Sequence, residues 1–164
     1  MDMDDETTGA RWPDRQDWPT SRQRMGAQQA ASKLLDALAP ERPPARRDEP
    51  ASQVLRVRSP RGCVLQGART AVSVSWFPPL PSDAALGELQ VIGWRGIVSR
   101  PGQGRQAPGS AEAVSREVLV PVEGAVGDAW IWKSADGRQY DVSALAERCN
   151  ELLADPGHLP ARAS

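Results

Sequence analysis

One histidine, two cysteines and scattered carboxylates are the whole stock from which this chain of 164 residues can build a catalytic or metal centre. Zinc sites draw three or four ligands from Cys, His and carboxylates, more Cys and His than this chain offers in one place. A Ser-His-Asp triad needs an imidazole fixed by its surroundings. His158 instead sits in a tail rich in Pro, Gly and Ala, and reads as a solvated residue. Cys63 and Cys149 lack a neighbouring base, and in a reducing compartment they read as two small buried hydrophobes. Gly102-Gln103-Gly104 is no phosphate cradle, because no strand leads into it and no helix follows. Asp136 and Asp141 are explained as a turn residue and a helix cap. The expectation is a protein that is not an enzyme, with no cofactor, no metal and no small-molecule substrate.

Binding is then the remaining class, and two stretches carry it. Residues 1–19 hold six carboxylates against Arg11 and Arg15, with Trp12 and Trp18 each followed by proline. Such a segment cannot bury enough surface to fold alone. Indoles spaced along acidic chain suit a docking arm, in which the rings anchor and the charge steers. The helix expected after it brings Leu34, Leu35 and Leu38 onto one face. Trp12, Trp18, Leu34, Leu35 and Leu38 are therefore the expected contacts to a protein partner. The alternative rests on charge. Seven arginines face only Asp83 and Glu88 between residues 50 and 111, a net of +5, while residues 112–164 carry a net of −4. Arginines beside an exposed ring on a curled sheet are a recipe for gripping single-stranded nucleic acid. Arg56, Arg58, Arg69, Trp94 and Arg95 are the residues that reading requires.

The elements that position these residues follow from periodicity. Thr20-Ser-Arg-Gln23 has the form of a capping box and opens a helix from Ser21 to about Ala39. Ala27, Ala31, Leu34, Leu35 and Leu38 make a narrow stripe on it, which needs a surface to lean on, in its own domain or on a partner. Pro40 stops the helix, and the Pro- and Arg-rich run to residue 52 reads as an extended linker. From Gln53 the period becomes two. Strands are expected over 54–58, 63–66, 69–77, 88–99 and 112–122, with Ser59-Pro60-Arg61-Gly62 as the first turn. A short helical turn is expected near Ser82, and residues 100–111 read as a long loop. Gly93 and Gly96 mark a bulge or bend, and Pro121 marks a strand edge or end. Trp130 and Trp132 share one face of the next strand, while Ile131 and Lys133 take the other. Asp136-Gly137 turns the chain back so that Tyr140 meets the tryptophans. A closing helix over 143–155 carries Val142, Leu145, Ala146, Cys149, Leu152 and Leu153.

The expected fold class is α+β. A small, mostly antiparallel β-barrel or open sandwich carries a C-terminal helix and is preceded by an amphipathic helix on a Pro-rich linker. The expected division is an acidic leader (1–19), the helix (20–39), the linker (40–52), a β-rich domain with its closing helix (53–155) and a tail (156–164). The net charge of −1 selects neither nucleic acid nor anionic lipid for the whole chain. All but Lys33 and Lys133 of the 20 basic residues are arginine, in every segment, which reads as coding bias rather than as a site. No apolar run approaches about 18 residues, so no membrane insertion is expected. The acidic start lacks the basic and apolar regions of a signal peptide, which points to a cytoplasmic protein.

Overall fold

A computed structural model of the chain describes residues 18–40, 54–98, 111–127 and 129–160. Trp12 and the rest of the leader to residue 17, most of the linker, and residues 100–110 of the expected loop over 100–111 lie outside the described residues, while Ala111 opens a strand. Helix α1 spans Ser21–Leu38. Seven strands follow: β1 Leu55–Ser59, β2 Gly62–Gln66, β3 Thr70–Phe77, β4 Glu88–Gly96, β5 Ala111–Glu123, β6 Trp130–Ser134 and β7 Gln139–Tyr140. Helix α2, Val142–Ala154, closes the order.

The strands form one antiparallel meander, each paired with its neighbours in sequence. The α+β, antiparallel expectation stands, and the barrel does not. The sheet is open, with β1 and β7 as its edges. A sandwich is not formed either, because both helices take the place of a second sheet. Their apolar stripes join one core with Leu65, Val72, Val74, Trp76, Leu89, Val91, Leu119 and Trp132. These strand residues share one parity, as the register Leu65↔Val72↔Gly93 and Val74↔Val91 requires. The helices therefore cover one face of the sheet, and among the described residues none covers the other.

Local chemistry explains most element ends. The Thr20 hydroxyl accepts from the Gln23 N–H at 3.2 Å, and the Gln23 side chain accepts from the Thr20 N–H at 2.9 Å, closing the capping box. The carbonyl of Leu38, otherwise unpaired at the end of α1, accepts from Nη1 of Arg56 at 2.5 Å. Asp141 caps α2 by accepting from the Ala144 N–H at 2.7 Å. At the other end Thr70 donates its hydroxyl to the Leu153 carbonyl. Gly137 holds a φ of 89°, which lets β6 turn into β7 within a few residues. Trp132 pairs with Tyr140 across that turn, as the spacing required. Its ring meets Trp76 edge to face, with centroids 5.9 Å apart. The bulge falls at Gly93/Trp94, where Val114 on β5 has no opposite residue.

Several expectations meet the structure differently. On α1, Ala27, Ala31, Leu34, Leu35 and Leu38 are at most 2% exposed, in the same core as the sheet. Pro121 lies near the end of β5, paired with Trp132 on one side and unpaired on the side of β4, as an edge or strand-end position would be. It is tolerated because β4 pairs with β5 only as far as Leu119, so no bond to β4 is forfeited. On α2 it is Arg148 that joins the buried stripe, while Val142 stays exposed. The tail is packed as far as Pro156, which is buried beside Gly93. The expected helical turn near Ser82 is a simple turn closed by the Asp83 N–H on the Leu80 carbonyl.

Candidate interaction surface

The open face of the sheet collects the residues of the second parity. Val57 on β1 pairs with Val64, Val64 with Ser73, Ser73 with Ile92, and Ile92 with Arg116. Phe77 pairs with Glu88, Val120 with Lys133, and Val122 with Ile131. Val57, Phe77, Val118, Val120 and Val122 are between 37% and 45% exposed. Val64, Ile92, Trp94 and Ile131 are half-buried on the same side. Val118, Val120 and Val122 follow one another along β5 and Val122 pairs with Ile131, whereas Glu88 separates Phe77 from Val120 and Ser73 separates Val64 from Ile92. Three of the polar groups on this face, Glu88, Gln90 and Arg116, are tied together. Arg116 donates to Oε1 of the Gln90 side chain at 2.8 Å, and Nε2 of the same side chain donates to Glu88 at 2.8 Å.

The five residues of the nucleic-acid reading are not gathered into one patch. Arg56 and Arg58 project to the helix face, because they pair with Leu65 and Cys63. Arg56 caps α1, and Arg58 binds Asp36 at 2.9 Å. Trp94 lies on the opposite face, half-buried, donating its indole N–H to the Ser73 hydroxyl at 2.9 Å. Arg95 meets Glu112 at 3.7 Å. Arg69 is exposed in the turn between β2 and β3. Of the expected protein anchors, Leu34, Leu35 and Leu38 are consumed by the chain's own core, whereas Trp18 remains 44% exposed.

Two further features lie on the helix side. A groove of about 430 Å³ runs between α1 and β6, lined by Arg22, Met25, Lys33, Glu123, Trp130 and Val142. Gly26 sets its floor: a Cβ there would sit 2.8 Å from the Trp130 ring, so the indole lies against bare helix backbone. Beside α2, Glu117 binds a buried cluster. It accepts from the Tyr140 hydroxyl at 3.0 Å and from Arg148 at 3.4 Å, and Arg138 lies 3.5 Å away. Arg148, 5% exposed, also donates to the His158 carbonyl at 2.9 Å and meets Glu151 at 3.3 Å. Burial, and then the Glu117 charge, push the Tyr140 phenol up to about 12, so it stays a donor. The cluster fastens β5, β7, α2 and the tail together.

Burial pushes the Cys63 thiol up to about 11 and the Cys149 thiol to about 12, which leaves both poor nucleophiles at neutral pH. His158 is about half exposed, 4.0 Å from Glu151. Among the described residues, no three of His, Cys, Asp and Glu are grouped to hold a metal ion. No described helix is long and apolar enough to cross a membrane.

Sequence reasoning missed the open-face residues, although the signal was present in the alternation of Val118, Val120 and Val122. It also missed Glu117, whose only mark is a charge in the same phase as Leu119. No family model matches the chain, and neither a curated protein nor a solved structure is similar to it at a significant level.

Proposed function

We propose that this is a non-enzymatic interaction protein that docks onto a protein partner through the open face of its sheet. The observation that carries the reading is the run of exposed Val57, Phe77, Val118, Val120 and Val122 on a face no described helix covers. A face of this kind, with Val118, Val120 and Val122 along β5 and Glu88, Arg116 and Lys133 set among the apolar groups, mixes apolar and charged side chains as protein interfaces do. The N-terminal arm is secondary in this reading. Its leucines are spent in cis, and Trp18 adds one exposed ring beside α1. The single-stranded nucleic-acid reading has less support, since Arg56 and Arg58 are engaged with α1 and lie across the sheet from Trp94.

The test is site-specific photocrosslinking in the native host. A crosslinking residue at position 120 is compared with one at position 147, on the exposed side of α2. Nuclease-resistant protein adducts at 120 that are missing at 147 are the expected outcome. Equal labelling at both positions, or none at 120, overturns the reading.

A further inference from the structure

We propose that the occupant of the open face is a second copy of this chain, packed sheet to sheet about a two-fold axis running along β5. The inference rests on the interaction reading above and adds the identity of the partner. Its basis is the order of charges across three strands. Leu89 pairs with Leu119, which sets Glu88 level with Val120, and Val120 pairs with Lys133. One row on the open face therefore runs carboxylate, valine, ammonium over β4, β5 and β6, at strand spacings of about 4.8 Å.

A two-fold axis lying along the middle strand exchanges β4 with β6. It sets Val120 against the partner's Val120, Glu88 against the partner's Lys133, and Lys133 against the partner's Glu88. An isologous interface must be self-complementary, and this row is. A unipolar row would repel its own copy, whereas in this row each charge meets its opposite; Arg116, farther along β5, comes level with its own copy and has to turn to the edge of the interface. Lys133 is exposed and makes no ion pair among the described residues, so it is free to bridge. The partner of a different sequence has no such requirement to explain.

An axis along β5 leaves only β6 and β7 on one side of it, so the two copies overlap over β3 to β7, about 19 Å across, while β1 and β2 with Val57 and Val64 overhang. Face-to-face sheets pack about 10 Å apart with strands nearly aligned, which an axis along β5 produces. The valines and Phe77 fill that layer.

Sedimentation equilibrium of the full chain from about 1 to 100 μM is the test. The expected result is a monomer–dimer equilibrium that Val120→Asp abolishes. Glu88→Lys and Lys133→Glu each weaken the dimer by at least about tenfold, since each sets like charges together twice. The double variant E88K/K133E restores the row in reverse and regains most of the affinity. Circular dichroism checks that all four variants keep the fold. A monomer throughout the range overturns the proposal, and so do single effects that add in the double variant. If the chain is monomeric while position 120 crosslinks another protein, self-association falls and the interaction reading stands. If neither occurs, both fall.

Discussion

The two faces of the one sheet receive apolar side chains in similar numbers and treat them differently. On the helix face Leu65, Val72, Val74, Leu89, Val91, Leu119 and Trp132 are at most 1% exposed. On the open face Val118, Val120 and Val122 keep more than a third of their surface. The residue types overlap, so hydrophobicity does not distinguish the faces. What distinguishes them is whether something is laid on top. On β5 the contrast runs within one strand. Its valines point outward, while Glu117, Leu119 and Pro121 point to the helices. A face that carries valine outside and glutamate inside has been arranged for two different kinds of neighbour.

The largest break in that comparison comes from removing the same kind of side chain on each side. Leu34 is fully buried between α1 and the sheet. Leu34→Ala is expected to cost about 3 to 4 kcal/mol, the transfer loss plus the cavity. Val120→Ser on the open face is expected to stay within about 0.5 kcal/mol at sub-micromolar concentration, where the fold stands without a partner. Urea denaturation of both variants checks the pair. Equal losses would mean that the open face is packed against the chain itself.

Next in size is the charge on the covered face. Arg148 is 5% exposed and anchors Glu117, Glu151 and the His158 carbonyl. Arg148→Met keeps the aliphatic volume and removes one of the two guanidiniums beside Glu117, which keeps Arg138 at 3.5 Å and the Tyr140 hydroxyl at 3.0 Å. The expected loss is about 2 kcal/mol, below the full cost of breaking a buried pair from one side. A second change, Glu117→Gln in the same background, should recover part of it, because the half-neutralised charge is gone. No recovery in the double variant would show that packing, and not charge, sets the cost. By contrast Arg95→Ala, which removes a salt bridge whose side chains are both mostly exposed, should have no measurable effect on stability.

Legibility in the sequence follows the same division. Strand positions, the Thr20 box, the Asp141 cap, the bulge at Gly93 and the Trp132–Tyr140 pair are local or nearly local facts. Periodicity and turn chemistry suffice for them. Which face of an alternating strand is covered is a long-range fact. Val118, Val120 and Val122 read as a core stripe by pattern alone, and only the placement of the helices shows otherwise. The same holds for α1. Its stripe of Ala27, Ala31, Leu34, Leu35 and Leu38 says that a surface is needed without saying whose. Arg56 and Arg58 fail as a nucleic-acid patch for this reason too. Their partners, the Leu38 carbonyl and Asp36, lie across the Pro-rich linker. Closure of the sheet is another long-range matter: seven strands fit a barrel or an open meander equally well until the β1 and β7 edges are seen apart.

The smallest effect sharpens the comparison by putting one functional group on each face. Burial holds the Cys149 thiol at about 12 and the Cys63 thiol at about 11, against an ordinary value near 9. Desolvation is the leading cause for both; the Arg58 and Arg56 charges near Cys63 only partly offset it. The folded state therefore keeps protons that the unfolded chain releases. Below about pH 9 the thiols are neutral in both states and contribute no pH dependence. Above that, the unfolded chain ionises first, and stability falls as pH rises toward 11 and 12. The slope is at most about 1.4 kcal/mol per pH unit for each thiol. Urea midpoints at pH 8, 9, 9.5 and 10 should bend downward, and Cys149→Ala should flatten the bend by up to half. Parallel curves for the two proteins would remove burial of Cys149 as its cause. A cysteine introduced at the other face, Val120→Cys, has water beside it and should titrate near its ordinary value. It should react with a disulfide reagent in native buffer at about pH 8, while Cys63 and Cys149 wait for unfolding. If all three thiols react at one rate, the helix face is not dry, and the distinction between the two faces fails where it is most sensitive.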